Sequence, residues 1–200
     1  MKRSKTNFTF FLVVTMLLFY GCATQQTVKK VSANEYALTP ERIARTHFEM
    51  LKNKQWIEIA HLYDPEELSD IREMVSIILE LPDEVSAKYL DTFFGPGTTK
   101  VKVRAMTDYI FFANFLRSVM EQTDQWIQHQ FKEIEILGSV KEGDNLVHVV
   151  SRMQFAIGDT TMESIKVVSF KKVGNEWRIL LRGEIKGLVQ QMMMSLQQGQ

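Results

Sequence analysis

The residues able to do chemistry in this 200-residue chain are few: one cysteine, Cys22, four histidines, and carboxylates scattered evenly among basic residues. Acid–base catalysis in a pocket needs a histidine or carboxylate on the core side of an element, with a second polar group in reach. The histidines do not offer this. His47 adjoins the apolar stripe of a first helix, His61 lies in a polar turn, and His129 falls at the end of a long helical pattern. His148 alternates with Val147 and Val149 and shares its parity with Val150, Arg152 and Gln154. A His–Arg pair lining a cavity is one reading of that strand. Because the aliphatic alternates fit the core side, an outer sheet face is the expected one. Asp108 and Tyr109 open a helix just after Thr107, where an aspartate complements the helix dipole as readily as it serves a site.

Other site chemistries lack their residues. No histidine pair or cysteine cluster has metal-ligand spacing, and Glu66, Glu67 and Asp70 read as a solvated first turn. Gly95-Pro96-Gly97 is a turn whose proline removes an amide that a phosphate cradle would need. No nucleophile elbow or dinucleotide fingerprint occurs, and no cofactor is expected. Basic residues form no run interleaved with aromatics, and 24 basic residues balance 24 acidic ones, so nucleic acid is not an expected partner.

The N-terminus specifies an address. Lys2, Arg3 and Lys5 precede an apolar run from Phe8 to Tyr20, which ends at Gly21-Cys22. That run suits a signal-peptide core and is well short of the roughly 20 residues of a membrane-crossing helix. Residues 19–22, Phe-Tyr-Gly-Cys, resemble the lipobox of bacterial lipoproteins, with Phe19 and Tyr20 standing in for the smaller usual residues. The resemblance implies removal of residues 1–21 and lipidation of Cys22, which also disposes of an exported free thiol. Ala23 and Thr24 follow, with no acidic retention signal, which implies the outer membrane facing the periplasm in a Gram-negative host. Loss of Lys2, Arg3 and Lys5 leaves 21 basic residues against 24 acidic ones.

Residues 22–38 lack periodicity and read as a lipid-anchored polar tether. The domain, residues 39–190, starts at Thr39-Pro40-Glu41: cap, first-turn proline and dipole-matched acid. Ala44, Phe48 and Leu51 form the stripe of that helix, and Trp56, Ile59, Ala60 and Tyr63 that of a second. Asp64-Pro65-Glu66-Glu67 starts a third, running to Leu79 and stopped by Pro82. Residues 84–93 suit another helix, 99–105 a short strand, and 108–130 a long helix. From Phe131 the period becomes two. Strands are expected over 133–140, 146–157, 161–173 and 177–185, joined by short turns at 142–145, 158–159 and 174–175, which makes an antiparallel meander. A last helical pattern, Ile185, Leu188, Val189, Met192 and Leu196, hints at docking, and residues 191–200 should fray.

Helices followed by a meander give an α+β domain. The opening Thr39-Pro40-Glu41 helix, the strand 147–152 and the closing hairpin 167–179, with its lysine-rich strand, glycine turn and Trp177-Arg178-Ile179, resemble the NTF2-like (cystatin-type) superfamily. The resemblance implies N-terminal helices on the concave face of a bent antiparallel sheet of four or more strands. It fixes no function, because such folds host enzymes, carriers and interaction modules. Aromatics such as Trp56, Tyr63, Phe112, Phe115, Trp126 and Trp177 suit either core or the roof of a small apolar ligand pocket. The reading taken forward is a non-enzymatic, lipid-anchored binding module. Its candidate face holds His148, Val150, Arg152, Leu180 and Arg182, expected to lack acidic or hydroxyl partners, and a homodimer or an envelope protein is the expected partner. A small hydrolase or isomerase with its site between helices and sheet is the alternative. Trp177, sharing parity with Ile179 and Leu181, is expected to be buried against the long helix.

Overall fold

The computed structural model describes residues 39–127, 129–181 and 187, with the side chains of 122–129 outside the description. Among the described residues, six α-helices precede the sheet: α1 (Pro40–Lys52), α2 (Trp56–Ala60), α3 (Pro65–Ser76), α4 (Asp83–Phe94), α5 (Lys100–Arg104) and α6 (Asp108–Ile127). Strands β1 (His129–Glu142), β2 (Leu146–Ile157), β3 (Thr160–Val173) and β4 (Glu176–Ile179) follow. They pair antiparallel in sequence order. The chain is thus an α+β domain with N-terminal helices packed on an open four-stranded antiparallel sheet.

Local chemistry sets most boundaries. The Thr39 hydroxyl accepts from the Arg42 amide, and Asp64 Oδ1 accepts from the Glu66 amide 3.2 Å away, each ahead of a first-turn proline. Gly158 and Gly174 take φ of +57° and +60° in the two-residue turns flanking β3, a region that costs glycine little.

Several expectations are corrected. The expected strand at 99–105 is instead helix α5 (Lys100–Arg104), because the Thr99 hydroxyl caps it and Lys100 Nζ reaches back 2.7 Å to the Leu81 carbonyl. The alternation there is no strand signal: Val103 is buried while Val101 is 75% exposed. The third helix tightens into a 3₁₀ turn at Ile77–Glu80 before Pro82. His129 begins β1 instead of ending the long helix, and β4 is shorter than 177–185, stopping at Ile179. The C-terminal helical pattern lies outside the described residues apart from Gly187.

The core joins α1–α6 to the inner sheet face. Ala44, Ile59, Tyr63, Phe112, Val147, Val149, Phe170 and Ile179 belong to one buried cluster. Helix α1 lies along β1 and β2, while α6 packs chiefly on α2, α3 and α4. Trp177 packs against this cluster on the side its parity implied, yet it is half-buried where full burial was expected, whereas Ile179 and Leu181 are buried. The segment just before α3 also borders β4. Ile179 N–H donates to the Leu62 carbonyl at 2.8 Å, and Asp64 N–H donates to the Ile179 carbonyl at 2.9 Å. Tyr63 and Ile179 form a parallel bridge.

Candidate interaction face

The outer sheet face is built by register. Cross-strand partners point to one side, so the rows Val140/His148/Ser169, Gly138/Val150/Val167 and Glu135/Arg152/Ile165 all face away from the helices. Burial along β2 agrees: Val147, Val149 and Ser151 are buried, and His148, Val150 and Arg152 are half-exposed. The face thus brings His148, Val150 and Arg152 together as the strand parity implies. Leu180 follows β4, half-buried, its N–H donating to the Ser169 carbonyl at 2.9 Å. Cys22 and Arg182 lie outside the described residues.

The expectation that this face lacks acidic and hydroxyl partners is overturned. His148 Nε2 lies 2.8 Å from Glu142 Oε2, and His148 Nδ1 lies 2.9 Å from Ser169 Oγ. A neutral ring satisfies both contacts when Nε2–H donates to the carboxylate and the Ser169 hydroxyl donates to Nδ1. Arg152 pairs with Glu135 at 2.6 Å and reaches Glu163 at 3.8 Å, while Gln154 donates to Glu163 at 2.8 Å. These carboxylates enter from β1 and β3 because the turns at 143–145 and 158–159 set the register. Counting outward from those turns places Glu142 and Ser169 beside His148.

A serine, a histidine and a glutamate in contact suggest a nucleophile, yet the surroundings suit a polar ladder better. Ser169 lies mid-strand, where neighbouring amides are spent on the β2–β3 ladder instead of converging on an oxyanion. Aliphatic side chains flank the polar rows. Val140, Ile165 and Val167 are 60%, 37% and 42% exposed, next to half-buried Val150.

The helix–sheet interface is packed with side chains. Tyr63 and Phe112 meet edge-on at 5.1 Å, and Phe115 is buried as well. A titratable pair sits there: His47 Nε2 is 3.2 Å from the Tyr63 hydroxyl. Burial pushes the His47 ring down to about 4, because nothing anionic compensates its charged form. In the unfolded chain it titrates near its ordinary value. Since the folded pKa is depressed, stability from a neutral His47 is fully present above pH 6.5 and is lost as pH falls toward 4. His47 as a residue is only half-buried, which discounts the full effect to about 2 kcal/mol. His47→Gln should therefore flatten the fall in urea midpoint between pH 7 and 4 relative to wild type. Parallel curves for the two proteins would show that His47 charges freely in the fold.

The remaining candidates have structural partners. Arg72 pairs with Asp108 at 3.0 Å and lies over the Phe111 ring, so Asp108 ties α6 to α3. Tyr109 stacks on exposed His61 at 4.3 Å. Glu66 extends from the first turn of α3 to Lys171 at 2.8 Å. Two surface hollows of about 260 and 350 Å³ flank half-buried Trp56, on the helical side and away from His148. Among the described residues, no three metal-ligating side chains converge.

No protein-family model matches the chain, and neither does any curated protein. The solution structure of a SEC-C motif containing protein from Rhodopseudomonas palustris is similar at a TM-score of 0.39 and 14% identity, over 72% of this chain and 76% of that one.

Proposed function

We propose that the chain is a lipid-anchored envelope protein whose NTF2-like domain docks another polypeptide on its outer sheet face and performs no catalysis. The observation that carries this reading is the aliphatic band of Val140, Val150, Ile165 and Val167 set between internally paired polar rows. Exposed apolar side chains gathered on one sheet face, with charges already paired in the plane, cost little to desolvate against a partner. Three strands of 12 to 14 residues, two inter-strand spacings across, give roughly 400 Å², about half of the ~800 Å² each partner buries in a standard interface and enough for a small or transient one. The packed helix–sheet interface supports binding over a pocket hydrolase or isomerase, which needs open space beside its titratable pair.

Val140→Lys with Val167→Lys should abolish cross-linking of this face to any partner, whether an envelope protein or a second copy. Folding stability should stay within about 0.5 kcal/mol of wild type, since both side chains are exposed. Unchanged cross-linking in that variant overturns the docking reading.

The anchor rests on the basic tip, the apolar run and Gly21-Cys22. Cys22→Ser should release the protein from the membrane fraction and remove two or three acyl chains of mass from its N-terminus. A wild-type N-terminus without lipid mass, together with unchanged fractionation of the variant, refutes the anchor.

A further inference from the structure

The edge strands of a sheet expose rows of backbone N–H and C=O groups that invite another strand. At β4 the row is taken, because Ile179 bonds to Leu62 and Asp64 on its free side. Strand β1 is the other edge. The bonds from Leu180 N–H to the Ser169 carbonyl and from Lys172 N–H to the Asn145 carbonyl fix the alternation, which turns the even residues of β2 toward β1. Their partners Glu135, Gly138, Val140 and Glu142 therefore spend their amides inside the sheet, and Ile134, Ile136, Ser139 and Lys141 direct theirs outward.

Helix α1 guards only part of this edge. Glu41, Arg45 and Lys52 lie in one row along the helix. Arg45 donates to the Ile134 carbonyl and Lys52 to the Lys132 carbonyl, at 3.4 Å each, while Glu41 accepts from the Ser139 hydroxyl. Bulges at Lys132 and Leu137 disturb the same stretch. From Gly138 to Glu142 the strand is regular, and among the described residues nothing bonds to the outward amides of Ser139 and Lys141.

We infer that residues 138–142 pair antiparallel with the same residues of a second copy, about a two-fold axis at Val140, and join the two sheets edge to edge. Ser139 and Lys141 then exchange backbone hydrogen bonds with Lys141 and Ser139 of the copy. Val140, 60% exposed, covers its counterpart, and Gly138 leaves room for Glu142 of the copy. Lys141, which acts on Glu41 of its own chain, comes opposite the serine that holds Glu41 of the other, and no like charges stand directly opposite. Gly-Ser-Val-Lys-Glu is thus complementary to itself, which selects a second copy over an unrelated strand. The α1 helices run from the axis in opposite directions and do not collide, whereas a register shifted toward Ile134 meets Arg45 and Lys52. This pairing uses the edge of β1 and is independent of docking on the outer face.

Val140→Cys in the full-length protein tests it. Facing residues of a non-hydrogen-bonded pair stand about 4.5 Å apart at Cα, within disulfide reach. Mild oxidation should give disulfide-linked dimers above the background of the wild type, whose one thiol is Cys22. Adding Lys141→Pro removes an outward amide that the fold does not use and should cut the yield about tenfold. Adding Lys141→Glu instead keeps every amide, so folding is not at issue, and should cut it about threefold. Val167→Cys, on the outer face of β3, should stay at background. Dimers formed equally at 140 and 167 and indifferent to both changes at 141 overturn edge pairing in favour of two copies docked face to face. No dimer above background at 140 overturns edge pairing and leaves the outer face free to dock a different polypeptide.

Discussion

Phe170→Ala should lower the unfolding free energy by about 3–5 kcal/mol, the largest loss expected from any single truncation in the sheet. Phe170 is 0% exposed and sits in register between Val147 and Ile179, where the inner face meets the helices. Removing the ring forfeits its transfer energy and leaves a cavity walled by two strands that cannot collapse together. Trp177→Ala is the internal control: half-buried at the cluster margin, it should cost about half as much despite its larger ring. Urea denaturation of both variants checks the order. A larger loss at Trp177 than at Phe170 would place the sheet's packing centre at the wrong end of β4.

Asp64→Ala should cost about 2–3 kcal/mol, a large effect for a residue outside the apolar core. Its carboxylate is 2% exposed, caps α3 through Oδ1, and meets Lys171 Nζ at 3.0 Å through Oδ2. Lys171 also grips Glu66, and these two carboxylates, Glu66 foremost, hold its ammonium above the ordinary lysine range. A raised lysine pKa means that this link persists throughout neutral pH and loosens only in strong alkali. Asp64→Asn keeps the cap and loses the ion pair, so it should cost only about 1 kcal/mol. Equal losses for Ala and Asn would assign the whole effect to charge. A loss below about 0.5 kcal/mol for both would show that β3 and α3 do not depend on this link.

The His47 pair shows where sequence reasoning stopped short. His47 was legible as a residue beside an apolar stripe, but its partner Tyr63 comes from the turn that borders β4, sixteen positions away. No periodicity within α1 contains that contact. The same holds for Arg72, whose partners lie on α6 and the loop before it.

By itself the sequence determined the elements whose signals are local. Caps and first-turn prolines placed α1 and α3, two-residue glycine turns placed the two hairpins flanking β3, and alternation along the first half of β2 told inner from outer face. Alternation misled at residues 99–105, where a threonine cap and Lys100's reach to the Leu81 carbonyl outweighed a two-residue period in so short a piece. Tertiary structure alone decided which side chains meet and how deeply they sit: Glu142 and Ser169 on His148, Asp64 on Lys171, Trp177 half-buried against the core instead of fully within it. The physical reason is one of range. Capping and turn energies act over three or four residues and leave a mark in the sequence, whereas ion pairs and burial depend on register and layer packing that bring together positions far apart in the chain.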